Sequence, residues 1–177
     1  MKDLSLPEEI KGERLVLKKN SLEHAEEIFK CVDSNRVRLR EFMHWIDITN
    51  TVEDEINFIK NSEMYLGRPM RSYGMFYNGK YIGNISAHNI VLEHDLCELG
   101  FWIDGNYEGK GFVSEAVRIL EETLRTQGFK KIELGIEPQN TRSINLAKKN
   151  KYEYRKIEKK KLWSKEIEFM IFCKELV

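Results

Sequence analysis

The chain has 177 residues, which suggests one compact domain over residues 1–177. Lys plus Arg and Asp plus Glu both number 29, so the formal net charge of zero gives no global pull toward nucleic acid or a membrane. No apolar run approaches the roughly 18 residues that span a bilayer, the start MKDLSLPEEIKGERL lacks an apolar signal core, and three scattered cysteines, Cys31, Cys97 and Cys173, read as reduced thiols of a cytoplasmic protein with no metal-site spacing.

In chain order, ERLVLKK (13–19) alternates Leu15 and Leu17 with polar neighbours and reads as a strand. Residues 21–35 place Leu22, Ala25, Ile28, Phe29 and Val32 at helical spacing behind Ser21, a candidate cap. Residues 37–46 are a shorter helical candidate, and 51–66 opens on the box-like T-x-x-D cap before Ile56 and Ile59. The period then changes. Residues 72–91 contain Asn78-Gly79, a strong hairpin signal, and 96–104 (LCELGFWID) is another strand. A helix over 111–127 follows, then a strand at 130–137, a helix at 141–150, and two tail strands within 152–176 joined near Ser164-Lys165. The order implies an α+β fold with a mixed sheet, because the strand–helix–strand unit 96–137 favours one local parallel pair among antiparallel neighbours.

Three glycines, Gly105, Gly109 and Gly111, crowd the entry to the 111–127 helix, whose Val113, Val117, Leu120 and Leu124 share one face. The first N–H groups of a helix have no internal partner, and its dipole is positive there. Without a Cβ at 109 and 111, a phosphate can reach those groups, although glycines also punctuate ordinary strand-to-helix turns. The P-loop pattern fails because Lys110 is followed by Gly111, and the dinucleotide pattern fails because position 114 is Ser.

The stretch EGKGFV (108–113) after CELGFWID resembles the acetyl-CoA pyrophosphate loop of the GNAT superfamily of N-acetyltransferases, R/Q-x-x-G-x-G/A. Downstream, EPQNTRSINLAKKNKYEY (137–154) resembles its second signature, with Asn140 and Ser143 at the N-x-x-S positions. The element order agrees over nearly the whole chain, and LREFMHWI (39–46) resembles a segment of the branch that acetylates ribosomal-protein N-termini. Three positions depart from the pattern: Glu108, whose carboxylate would repel a pyrophosphate unless it points away; Val113 in place of Gly or Ala; and Lys151-Tyr152 in place of Gly-Phe.

The resemblance implies a GNAT-like fold and acetyl-CoA as cosubstrate, with no metal. It implies cofactor contacts at Phe101, Trp102, Ile103, Gly109, Lys110, Gly111, Phe112, Val113, Ser114, Asn140 and Ser143, and oxyanion stabilisation by a backbone N–H of a splayed strand around Phe101–Ile103. An amine that attacks a thioester must first lose a proton. Glu98 is the candidate base, against a reading as a sheet carboxylate in a cross-strand ion pair. Ser143 is the candidate acid toward the leaving thiolate, against a first-turn hydroxyl bonded to backbone. His88, Phe42 and Trp45 are candidates for the acceptor side, each with a plain core reading beside it. The tail-strand glutamate used in some members of that branch is not carried over, since Lys161-Leu162-Trp163 stands at the comparable place. The expected acceptor is the N-terminal α-amine of a ribosomal or other protein. Acetylation of a small amine such as a polyamine or aminoglycoside, and a non-catalytic CoA-binding regulator, are the alternatives. Direct nucleic-acid or membrane contact is not expected, and a homodimer is left open.

Overall fold

The computed structural model describes residues 6–65, 68–162 and 164–176. Strands β1 (Glu9–Lys11) and β2 (Leu15–Lys19) form a short hairpin, followed by helices α1 (Ala25–Ser34), α2 (Arg36–Leu39) and α3 (Val52–Asn61). Two-residue strands β3 (Met64–Tyr65) and β4 (Arg68–Pro69) pair with each other apart from the main sheet. Then come β5 (Arg71–Tyr77), β6 (Lys80–Val91), β7 (Leu96–Ile103), α4 (Phe112–Thr126), β8 (Lys131–Ile136), α5 (Thr141–Lys149), β9 (Glu153–Leu162) and β10 (Lys165–Glu175). The main sheet runs β1-β2-β5-β6-β7-β8-β10-β9, antiparallel throughout except for the parallel pair β7–β8. This is the mixed, mostly antiparallel α/β architecture expected from the order of elements. Among the described residues no helix is long and apolar enough to cross a membrane.

Alternation along the strands splits the core into two layers. Met75, Ile82 and Ile103 join one cluster with Phe112, Val117, Leu120 and Leu124 of α4 and Ala147 of α5. Their neighbours Phe76, Tyr81 and Trp102 join the other, under Ile28 and Val32 of α1, Leu39, Ile46 and Ile59. The hairpin signal is realised directly, with Asn78 and Gly79 both left-handed at φ +50° and +77°, as a type I′ turn requires. The T-x-x-D box also closes: Asp54 N–H donates to the Thr51 hydroxyl at 3.2 Å, and Thr51 N–H donates to Asp54 at 2.9 Å.

Two helical expectations are corrected. Residues 37–46 are not one helix: α2 stops at Leu39, Phe42 lies in a turn, and a 3₁₀ segment begins at His44. Val37 is 88% exposed, so no apolar stripe holds a helix together there. The 51–66 helix ends at Asn61, where the chain turns into β3; Leu66 lies outside the described residues, as does Trp163 before β10.

The absent glycine at position 151 has a visible consequence. Tyr152 N–H bonds back to Ala147 and Lys151 N–H to Lys148, both at 3.0 Å, which is the hydrogen-bond pattern of a helix closed by a left-handed residue. That residue is Lys151, at φ +65°. A lysine there carries about 1 kcal/mol of backbone strain, which glycine lacks, against glycine's larger unfolded-state entropy. Lys151→Gly is expected to raise stability by about 0.5 kcal/mol, measured by denaturant midpoint, whereas Gly128→Ala at the matching position after α4 (φ +85°) should lower it by about 1 kcal/mol.

Candidate active site

The parallel pair β7–β8 is short. Only Leu96, Cys97 and Glu98 pair with Lys131, Ile132 and Glu133, and beyond them the strands part while β7 stays paired to β6 as far as Ile103. The Asp104 N–H donates to the Ile82 carbonyl of β6 at 2.8 Å, whereas the Ile103 carbonyl accepts from Arg38 instead. By the two-residue period, residues 101 and 103 turn their backbone groups away from β6 and into the gap. Among the described residues, a stretch of backbone donors without a strand partner therefore lies inside the sheet, where the resemblance implied a splayed strand.

Two cavities open onto this gap. The smaller, about 420 Å³, is lined by Gly109, Gly111, Phe112, Val113 and Ser114 at the start of α4, by Ile103, and by Arg142 and Leu146 of α5. The larger, about 1000 Å³, reaches from His44, Trp45 and α3 across the sheet to Glu98, Glu137 and Lys160. Phe42, Met43, Phe101, Trp102, Asn140 and Ser143 line both. Five of these six are residues singled out by sequence, so the junction collects site residues taken from elements far apart in the chain.

The glycine loop suits a bulky anion. Gly109 and Gly111 are left-handed, at φ +72° and +80°. A Cβ on Gly109 would meet nothing within 4 Å, and one on Gly111 only Arg14 Nη2 at 3.6 Å, so it is conformation that requires glycine and the approach is open. The N–H groups of Phe112, Val113 and Ser114 begin α4 without internal acceptors. Lys110 takes no part in the cavity wall: its ammonium donates to Asn106 O at 2.8 Å and lies over the Tyr107 ring. The Ser114 hydroxyl accepts from Asn150 at 3.0 Å and braces α4 against α5.

Glu108 does not point away. It lines the smaller cavity, with Arg38 on one oxygen at 2.5 Å and Arg142 on both at 2.8 and 2.6 Å. Two guanidiniums on one carboxylate leave a net positive cluster beside the helix N-terminus. The repulsion foreseen for a pyrophosphate is thereby reversed. Arg142→Ala is expected to weaken coenzyme A binding about three- to tenfold, more at low ionic strength, while Glu108→Gln should tighten it. Titration calorimetry at two salt concentrations checks both signs, and equal signs would refute the cluster's role.

Around the gap, Asn140 caps α5 by accepting from Ser143 N–H at 3.1 Å, leaving its amide NH₂ toward the junction. No backbone bond holds the Ser143 hydroxyl among the described residues, so the first-turn alternative is not what the structure has. Glu98 lies in the larger cavity wall, its Oε2 bonded by Lys160 at 2.9 Å and Asn89 at 2.8 Å, with His88 Nε2 3.9 Å from Oε1. Gly135 makes the room: a Cβ there would sit 2.6 Å from Glu98 Oε1. Burial pushes the Glu98 carboxyl up, but His88, Lys160 and Asn89 outweigh it and hold the group below its ordinary value. Burial lowers His88, and Glu98 opposite offsets this only in part. A carboxylate so held fits the ion-pair reading and makes a poor proton acceptor.

Sequence reasoning passed over a second candidate in the same wall. His44 Nε2 donates to Glu137 Oε1 at 2.7 Å, both side chains in the larger cavity wall and mostly buried. A carboxylate only accepts, so this bond puts a proton on Nε2, and the lone pair of the neutral ring is then on Nδ1. His44 stands inside LREFMHWI, and Glu137 opens the second signature, but 93 residues separate them and no spacing rule joins them.

A model of the acetyltransferase (GNAT) domain matches residues 14–153. The chain belongs to the GNAT acetyltransferase family. A ribosomal-protein-serine acetyltransferase of Escherichia coli (strain K12) is 24% identical over 98 residues, 55% of each chain, so the match spans about half the length of that relative. Among solved structures, the microcin self-immunity acetyltransferase MccE in complex with acetyl-CoA and AMP superposes with a TM-score of 0.87 at 23% identity, over 98% of this chain and 99% of that one. RimL, a ribosomal α-N-protein acetyltransferase in complex with coenzyme A, superposes with a TM-score of 0.87 at 17% identity, over 96% and 98%. At such identities the superpositions establish the GNAT fold alone.

Proposed function

We propose that this GNAT protein transfers the acetyl group of acetyl-CoA to the N-terminal α-amine of a protein, a ribosomal protein being the class that the Escherichia coli relative and RimL are named for. The observation that carries the reading is the junction: a positive, glycine-lined groove meets a wide cleft where β7 and β8 part, with His44–Glu137 in the cleft wall and the Ser143 hydroxyl at the seam. In the groove the α4 N–H groups and the Arg38–Glu108–Arg142 cluster bind phosphate, while backbone groups at Phe101 and Ile103 hold the amide arm. Acetyl-CoA supplies an activated thioester carbonyl.

The chain's residues move the protons. His44 Nδ1 takes one from the incoming ammonium, and Glu137 stabilises the imidazolium that results. Ser143 donates toward the departing sulfur. The N–H of Phe101 or Ile103 is placed to steady developing negative charge. Glu98, paired with Lys160, keeps the β7 side of the cleft rigid, and Trp45, at a ring distance of 6.3 Å from Trp102, walls the acceptor channel.

An α-amine has a pKa near 7.7–8.0 against about 10.4 for a lysine side chain, so at neutral pH a single imidazole deprotonates N-termini far more readily. Peptides with a free N-terminal Ser or Ala should be acetylated, and the same peptides with blocked N-termini and internal lysines should react poorly. Mass-spectrometric mapping of products from peptide pools and salt-washed ribosomes, alongside spermidine and aminoglycosides, tests this. Products confined to the small amines would remove the protein acceptor.

A further inference from the structure

The larger cavity has a second polar end that the transfer chemistry does not use. It lies over β5 and β6, across β7 from the gap, where Glu55 of α3 and Tyr81 of β6 face the space. Glu55 is only 4% exposed, yet among the described residues no donor bonds its carboxylate. Tyr81 is 2% exposed, and its hydroxyl also lacks a partner. Asn20, Ser72 and Asn84 bond one another beside them and complete a polar wall.

A buried carboxylate with no donor is costly, and two unsatisfied polar groups on one cavity more so. Burial alone pushes the Glu55 carboxyl up to about 7, which is the response of an acid whose charge nothing in the protein answers. Its place on α3 needs no such group: Ile59, one turn on, shows that the position faces the apolar layer, where Leu or Met would pack. The missing partner is therefore something that enters the cavity. It carries N–H donors and positive charge, since a carboxylate only accepts and would repel an anion, while the Tyr81 hydroxyl, donor and acceptor both, is compatible with either.

We propose that Glu55 and Tyr81 form a subsite for a second ammonium group of the acceptor, distinct from the amine that is acetylated. The division of labour follows from the proton requirement. A carboxylate favours the charged form of an amine, whereas the reacting amine must become neutral. The nitrogen held at Glu55 is thus the one that does not react. The Tyr81 and Trp102 ring centres are 5.9 Å apart, and Trp102 lines the junction, so the two nitrogens stand at least about one strand spacing, ~5 Å, apart. A lysine side chain close behind an N-terminal residue has this chemistry, and so does the second amine of a polyamine. The inference rests on the larger cavity being the acceptor cleft of the proposed function.

The test uses matched acceptors and Glu55→Gln, which keeps the shape and removes the charge. One arm compares a Ser-Lys N-terminal peptide with its Ser-norleucine counterpart, and the other compares spermidine with butylamine. Each pair is measured both by KM and by ligand-induced shift in melting temperature with coenzyme A present. In the wild type the member of at least one pair that carries the further ammonium should bind tenfold or more tightly, and in Glu55→Gln that ratio should collapse toward one; Tyr81→Phe should reduce it partway. Discrimination in the peptide arm alone assigns the subsite to a protein acceptor, and in the spermidine arm alone to a small polyamine. Equal binding within both pairs in the wild type, or a ratio that survives in Glu55→Gln, overturns the proposal. The melting shift needs no turnover, so failure of acetyl transfer on every acceptor would strike the proposed function while the subsite is still judged by binding.

Discussion

His44→Ala is expected to lower the rate of acetyl transfer by a hundredfold or more while leaving acetyl-CoA affinity near the wild-type value. The magnitude is that of losing a positioned general base. The affinity is spared because His44 lines only the larger cavity, away from the glycine loop. Glu137→Gln should cost less, about tenfold, because the ring remains and only the partner that stabilises its cationic form is lost. The two substitutions act on one relay, so the double variant should be little worse than His44→Ala alone. Rate against pH separates this from a structural effect: the rising limb of the wild-type profile should disappear in His44→Ala. A rate within threefold of wild type would return the search for the base to Glu98 and His88.

The largest expected loss of stability lies outside the reacting centre. Glu115 in the first turn of α4 is buried, and its carboxylate accepts from Arg14 N–H at 2.7 Å, Leu15 N–H at 3.0 Å and Arg14 Nε at 2.7 Å. Arg14 in turn donates to Lys110 O at 3.0 Å and lies 4.5 Å over the Phe112 ring, so this acid ties the start of β2 to the glycine loop. Glu115→Ala strands two backbone donors, one of them fully buried, at a cost of about 3 kcal/mol. For a chain of this size that is a drop of roughly 6–12 °C in Tm. Its pH dependence has a definite sign. Burial pushes this carboxyl up, but the two backbone N–H groups and Arg14 outweigh it, so its folded pKa is depressed below 4.5. The stabilisation is then complete above the unfolded value and is lost as pH falls from there through the lower folded one. The gap in Tm between wild type and Glu115→Ala should therefore be widest near neutrality and narrow below about pH 4.5. A gap that stays constant into acid would show that packing, and not the ionised acceptor, holds this corner.

What the sequence disclosed and what it hid divide along a physical line. Features with a local cause were readable: the type I′ turn at Asn78-Gly79, the Thr51–Asp54 box, and the loop whose Gly109 and Gly111 must take positive φ. The paired signatures were readable for the same reason, because each is a short run with its own backbone demand. Long-range polar pairing was not. Nothing near Glu108 foretold Arg38 and Arg142, so its charge looked like a defect in the groove. His44 and Glu137 meet only because α2 ends early and a turn swings the 3₁₀ segment toward the end of β8. Glu55 did leave a trace, an acid one turn before Ile59 on an otherwise apolar helix face, but periodicity alone does not say whether such a group is paired.

Because β7 and β8 share only three residue pairs, the sheet is mechanically two plates, β1-β2-β5-β6-β7 and β8-β10-β9, held along a seam that is closed at one end only. A β edge normally sits on the outside of a protein, where charge or twist shields it from other strands. Here the edge is internal and faces the walls of its own cleft. Any extended molecule with alternating carbonyl and N–H groups that lies in the gap acts as a stitch, and lengthens the seam by each bond it makes. Ligand binding then adds rigidity across the width of the fold, and the amides of Phe101 and Ile103 are where slower hydrogen exchange would register it first.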